Sequence, residues 1–175
     1  MPLDRHADRL GVCGDSAGGS LAALACQALG YAGAPPLALQ LLLCPILDYG
    51  PDEAREFGRG IIDRATLDAD LQHYLRPGID PADPRISPLH AQDLQRMPIT
   101  IIHTGEFDPF RDAGRRYYER LLETGSRATY TCHPGMIHLF YGLAGVIPYA
   151  RTFFTTLTGE LRPALERPAT HRAEV

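Results

Sequence analysis

Ser16, Asp108 and His138 are the three residue types that acyl transfer needs, and each sits just past an apolar run. Ser16 lies in Gly14-Asp15-Ser16-Ala17-Gly18-Gly19, Asp108 in Gly105-Glu106-Phe107-Asp108-Pro109, and His138 ends Pro134-Gly135-Met136-Ile137-His138. A serine hydroxyl is a poor nucleophile until a base removes its proton, and an imidazole is a better base when a carboxylate fixes its tautomer. The tetrahedral oxyanion then needs backbone donors, and the amide of Ala17, directly after the serine, is one candidate. Gly14 and Gly18 are read as removing side chains where backbone meets backbone in a tight turn. The competing reading is an ordinary glycine-rich connection without chemistry.

Such residues must be carried by elements that converge. Leu10–Cys13 reads as a first strand, followed by a helix over 16–29 that stops at Gly30. Leu37–Cys44 is a near-continuous apolar run, as a parallel strand covered on both faces would be. Asp63 caps a helix over 64–75, with Leu67, Leu71, Tyr74 and Leu75 on one face. Ile99–Thr104 is a β-branched strand. A helix over 110–124 follows, with Gly125 at its C-terminal end, then a strand over 127–133 and a last helix over 146–158. The tail from 160 is polar, holds Pro163 and Pro168, and is expected to fray. Strands alternating with helices imply an α/β fold with a parallel sheet. In such sheets functional residues leave the C-terminal ends of the strands. The first strand then delivers Ser16, the third Asp108 and the fourth His138.

Other candidates compete. Of the seven histidines, His103 and His133 lie within strand runs and read as packed or solvated. His6, His73, His90 and His171 fall in the lead-in, a helix, a loop and the tail. Asp112 suits the first turn of a helix, Glu106 remains a rival to Asp108, and Asp15 reads as an orienting residue.

The chain has 175 residues, 45% hydrophobic and 22% charged, and reads as a single domain over 1–175. A net charge of −4 offers no nucleic-acid surface. The four cysteines, Cys13, Cys26, Cys44 and Cys132, form no C-x-x-C pair. They read as buried small hydrophobes in a reducing compartment, not as disulfides or metal ligands. Met1–Leu10 has no signal-peptide core, and the longest apolar run, Leu37–Leu47, is too short to span a bilayer. These features predict a soluble, cytoplasmic protein.

Gly14-Asp15-Ser16-Ala17-Gly18-Gly19, Asp83-Pro84-Arg85-Ile86-Ser87-Pro88-Leu89, Glu106-Phe107-Asp108-Pro109-Phe110-Arg111-Asp112 and Pro134-Gly135-Met136-Ile137-His138, in that order, resemble the hormone-sensitive-lipase-like carboxylesterases of the α/β-hydrolase fold. The resemblance spans about residues 8–158. The serine, acid, histidine order is that of the α/β-hydrolase triad. It implies Ser16 as nucleophile, Asp108 as acid, His138 as base and Ala17 as an oxyanion donor, in a cofactor-free hydrolase of short to medium acyl esters. Leu139 stands where the family usually has glycine. The family's His-Gly-Gly-Gly loop and N-terminal cap have no counterpart here, because fifteen residues precede Ser16. The expectation is therefore a partial α/β-hydrolase fold of about four strands, the C-terminal half of an esterase. Leu10–Cys13 would then be an open edge, suited to a homodimer or to a complementing N-terminal half. The alternative function is a catalytically silent half-domain that needs such a partner.

Overall fold

The computed structural model describes residues 10–34, 37–50 and 62–166. The polar lead-in, the stretch 51–61 and the chain beyond 166 lie outside the described residues. Four strands, β1 (Gly11–Asp15), β2 (Leu39–Leu43), β3 (Ile99–Phe107) and β4 (Ala128–Ile137), form one sheet in the order β1-β2-β3-β4, with every pairing parallel. The helices are α1 (Ala17–Tyr31), α2 (Arg64–Tyr74), α3 (Arg111–Glu123) and α4 (Pro148–Glu166).

A chain that always steps the same way across a parallel sheet, with right-handed crossovers, lays its connections on one face. Accordingly Ala22, Ala23 and Cys26 of α1 and Ala113, Tyr117 and Leu121 of α3 share one core with Leu42 and Ile102 of the sheet. α4 follows the last strand and covers the other face. There Phe153, Ala150 and Leu157 pack with Leu39, Leu41, Leu43 and Ile101. Every position of β2 is buried, as expected for a strand covered on both faces. α2 sits apart, near the strand ends. Asp63 caps it by accepting from the Thr66 N–H at 2.7 Å. Its apolar face is only partly buried: Leu67 and Leu71 pack with Ile46, Tyr49 and Phe110, while Tyr74 is exposed.

Several element bounds differ from the sequence reading. β3 runs on through Phe107 and β4 through Ile137, so both expected turns begin as strand, with a register irregularity between Gly105 and Phe107. Gly105 permits this: a Cβ there would stand 2.5 Å from the Met136 carbonyl oxygen. The expected frayed tail is corrected as far as residue 166. α4 continues because Leu161, Ala164 and Leu165 prolong its apolar stripe onto the sheet. Pro163 is tolerated inside it, at the cost of one backbone donor. The cysteine reading holds for Cys26 and Cys44, but Cys13 is exposed and Cys132 only half-buried. Cys13 is exposed because β1 pairs with β2 alone among the described residues, and its exposure alternates from half-buried to exposed. Among the described residues the expected edge of β1 therefore has no partner strand.

His103 and His133 are packed residues, joined beneath α4. His103 Nδ1 lies 3.0 Å from His133 Nε2, His103 Nε2 lies 3.0 Å from Glu160 Oε2, and His133 Nδ1 lies 2.8 Å from the Tyr149 hydroxyl. With Glu160 ionised, the bonds run one way: the Tyr149 hydroxyl donates to His133, His133 to His103 and His103 to Glu160. Both imidazoles are then neutral. Burial pushes each down to about 4, with the neighbouring His103 adding to the effect on His133. Between about pH 6.5 and 4 the unfolded chain therefore binds protons that the folded chain refuses, and stability falls as the pH is lowered through that window. Burial raises the Glu160 carboxyl, which opposes this in part. Denaturant unfolding at pH 5 is expected to give a stability on the order of 1–3 kcal/mol below that at pH 7, after allowing for the opposing Glu160 carboxyl, which is itself a third exposed. The dependence should flatten clearly in His103→Gln; an unchanged slope would show that the pair stays charged.

Candidate active site

Each of the three singled-out residues is delivered by the end of a different strand. β1 ends at Asp15, and Ser16 follows with φ 51° and ψ −122°, immediately before α1. This conformation is held from several sides. The Ser16 N–H donates to the Leu43 carbonyl at 3.0 Å, and the Ser16 carbonyl accepts from Gly19 at 3.0 Å and Ile46 at 3.1 Å. A Cβ on Gly14 would stand 2.0 Å from the Gly18 carbonyl oxygen, and one on Gly19 would stand 2.6 Å from Pro45 Cβ. The two sterically required glycines are thus Gly14 and Gly19. Gly18 contributes its backbone to the contact, and the nearest atom to a Cβ there is an Asp15 carboxylate oxygen at 3.7 Å.

Asp108 follows β3 and is 2% exposed. Its Oδ1 accepts from the Phe110 N–H at 2.9 Å, which orients the carboxylate at the start of α3. His138 follows β4 and is 1% exposed. Next comes Leu139 at φ 55°, in the left-handed region that glycine occupies without strain, and then a short 3-10 turn at Phe140–Leu143. The bulkier side chain noted in the sequence therefore comes with a strained backbone.

The structure brings these side chains into one line. His138 Nε2 is 3.0 Å from Ser16 Oγ, and His138 Nδ1 is 3.1 Å from Asp108 Oδ1. Phe110 and the imidazole pack edge to face, with centroids 5.4 Å apart. Nδ1–H donates to the carboxylate, leaving Nε2 to accept from the serine hydroxyl. Both ring nitrogens are thereby used. Cys44 also lies here, with one donor atom each of Cys44, Asp108 and His138 within 4.8 Å of one another. The hydrogen bonds of His138 leave no nitrogen lone pair for a cation at this cluster.

The rival acids have other partners. Glu106 is exposed, and its Oε2 accepts from the Gly135 N–H at 2.7 Å, tying the β3 exit to the β4 turn. Asp112 lies in the first turn of α3 and pairs with Arg111 at 3.0 Å. The Asp83–Leu89 segment supports the site from behind. The Ser87 hydroxyl accepts from the Tyr49 N–H at 2.8 Å and donates to the Pro81 carbonyl at 2.6 Å, while the Leu89 N–H donates to Leu47 at 2.9 Å. The Ser20 hydroxyl donates to the Ile46 carbonyl and so ties α1 to the same loop.

An apolar cavity of about 290 Å³ opens beside Ser16 and Ala17, walled by Ile46, Tyr49, Leu67, Leu71 and Phe110. The same five side chains border a second cavity of about 450 Å³. Sequence reasoning did not assign α2 to this wall. The Leu67, Leu71, Tyr74 spacing was the available signal, but an amphipathic stripe does not say what it faces.

Residues 3–142 match the family model described as alpha/beta hydrolase fold. Over 166 residues the chain is 36% identical to the carboxylesterase NlhH of Mycobacterium tuberculosis, covering 91% of this chain and 50% of that protein. Among solved structures it is similar to the thermostable carboxylesterase EstE1 from a metagenomic library, with TM-score 0.85, 27% identity and coverage of 92% of this chain and 56% of that one. It is similar also to the hyperthermophilic esterase of Pyrobaculum calidifontis, with TM-score 0.84, 26% identity and coverage of 90% and 53%. The chain spans about half the length of the curated relatives it matches. With its four parallel strands and flanking helices, the chain belongs to the α/β-hydrolase fold family and is similar to carboxylesterases and to solved esterases of the hormone-sensitive-lipase group.

Proposed function

We propose that the chain is a serine carboxylesterase with Ser16 as nucleophile, His138 as general base and acid, and Asp108 as the carboxylate that orients and stabilises the imidazole. The observation that carries this reading is the hydrogen-bonded line from Ser16 Oγ through His138 to Asp108, opening onto an apolar cavity. His138 Nε2 takes the Ser16 proton as Oγ attacks the ester carbonyl. The negative charge on the carbonyl oxygen is met by the Ala17 N–H at the start of α1, where the helix field favours an anion. Collapse of the tetrahedral species expels the alcohol, which leaves with the proton held by His138. Water, deprotonated by the same nitrogen, then attacks the acyl-serine and releases the acid. This chemistry uses no cofactor. The apolar wall and 290 Å³ volume suit short to medium acyl groups.

Ser16→Ala and His138→Ala are expected to remove nearly all hydrolysis of a 4-nitrophenyl ester. Asp108→Asn should cost on the order of 10⁴ in turnover, because the amide favours the wrong tautomer. Glu106→Gln and Asp112→Asn should be mild. If either proves more damaging than Asp108→Asn, the acid is misassigned.

The edge of β1, which has no partner strand among the described residues, favours a second reading, in which the folded chain is silent until a partner covers that edge. A fluorophosphonate reagent separates the two. Covalent labelling that is lost in Ser16→Ala supports the esterase, whereas folded protein that takes no label supports the silent half-domain. On either reading the edge should be paired by a second copy or by a complementing N-terminal half. Light scattering at high protein concentration is expected to show association, and a stable monomer would contradict it.

A further inference from the structure

Phe140 ties the segment of His138 to a part of the structure that the reaction does not use. It lies two residues after His138, is fully buried, and follows Leu139, whose left-handed backbone turns the chain. Its ring meets His133 with centroids 4.9 Å apart, Phe153 at 5.2 Å and Tyr149 at 6.0 Å. His133 is the hub of this cluster. It also packs on Phe153 at 5.2 Å and Tyr149 at 5.7 Å, and it is 2% exposed. The turn that leaves the base is thus anchored on a second histidine ring.

Both nitrogens of that ring are engaged, Nε2 with His103 at 3.0 Å and Nδ1 with the Tyr149 hydroxyl at 2.8 Å. In the one-way chain that ends at Glu160, a further proton can enter His133 only at Nδ1. The Tyr149 hydroxyl would then have to turn from donor to acceptor. The new charge would sit among Phe140 and Phe153, away from water, and beside the first turn of α4, where the helix field disfavours a cation. His103 cannot take the proton instead, because its Nδ1 already accepts from His133 and its Nε2 donates to Glu160. The titratable groups around the ring are His103 on β3, Tyr149 and Glu160 on α4, and Tyr141 on the turn, whose hydroxyl burial holds well above its usual range. Arg151, in the first turn of α4, donates to the Ala144 carbonyl at 2.8 Å.

We propose that His133 is a pH-sensing positioning residue: as a neutral ring it anchors Phe140 and the start of α4, and its protonation releases the turn after His138, so that the catalytic line loses its alignment in acid. The inference rests on the role proposed above for His138, and it adds a loss in acid that is separate from protonation of the base itself. A released ring binds a proton at its ordinary value, about 6.5, whereas burial holds the packed ring down to about 4. Opening of the turn is therefore favoured as the pH falls through that window.

Amide hydrogen exchange of the full chain, read by NMR, tests this without turnover. The Gly142 N–H donates to Leu139 at 2.9 Å, those of Val146 and Ile147 to Leu143 at 2.8 Å, and that of Ala150 to Ile147 at 3.1 Å. After correction for intrinsic exchange, their opening constants should rise roughly twentyfold between pH 7 and pH 5. At pH 5 they should exceed those of the β2 amides by roughly tenfold or more. His133→Gln keeps a donor and an acceptor but does not titrate, and should hold the rise within about threefold. These outcomes support the inference even if no ester is cleaved and Ser16 takes no label, in which case only the esterase reading fails. The same rise in folded His133→Gln would overturn it. Opening constants equal to those of β2 at both pH values would also overturn it, because the turn would then open only with the whole chain. Where His133→Gln does not fold by circular dichroism, this comparison with β2 in the unsubstituted chain decides alone.

Discussion

The structure depends on His138 reaching two partners at once from the end of β4. A 3.0 Å contact to Ser16 and a 3.1 Å contact to Asp108 leave little tolerance, since each bond weakens steeply with distance and angle. The three residues are separated by up to 122 positions in the chain. What makes the tolerance achievable is a parallel sheet. Strands in register end side by side at one edge, and residues just beyond them share one small volume. The sheet is rigid because β2 is buried along its whole length and β3 is clamped between β2 and β4.

Strain gathers at the same edge. Among the described residues the non-glycine positions with positive φ are Ser16, Cys44 and Leu139. They stand after β1, after β2 and directly after His138. Each costs roughly 1–3 kcal/mol, sustained by the surrounding packing. Ser16 places its hydroxyl beside His138 at a helix N-terminus, Cys44 stands with its sulfur within 4.8 Å of Asp108 and His138, and Leu139 turns the chain so that Phe140 reaches the aromatic cluster with His133 and Phe153. The cost is spread over segments held by hydrogen bonds to neighbouring strands, which explains how the conformations persist without glycine.

The two faces of the sheet do different work. The face under α1 and α3 is a largely apolar core in which buried Gln27 donates to the Pro88 carbonyl and the Tyr117 hydroxyl. The face under α4 carries a polar chain of two histidines, a tyrosine and a glutamate within an aromatic cluster. That chain closes every ring nitrogen with a partner, so burial of both imidazoles is affordable as long as they remain neutral.

Much of this was determined by the sequence itself. Gly14-Asp15-Ser16-Ala17-Gly18-Gly19 between an apolar run and a small-residue run specifies strand, sharp turn and helix locally. The alternation of strands and helices specifies a parallel sheet, and with it the edge where Ser16, Asp108 and His138 emerge. Asp63 marks the start of α2 because a cap is a contact between near neighbours. Tertiary structure decided what depends on distant partners. β4 continues to Ile137 because Gly105 leaves room for its backbone, and α4 passes Pro163 because the sheet buries Leu161, Ala164 and Leu165. That Leu67 and Leu71 wall a cavity, and that Cys44 faces Asp108, follows from residues far apart in sequence becoming neighbours. Local pattern fixes which way a side chain alternates along its own element; only packing between elements decides what it meets.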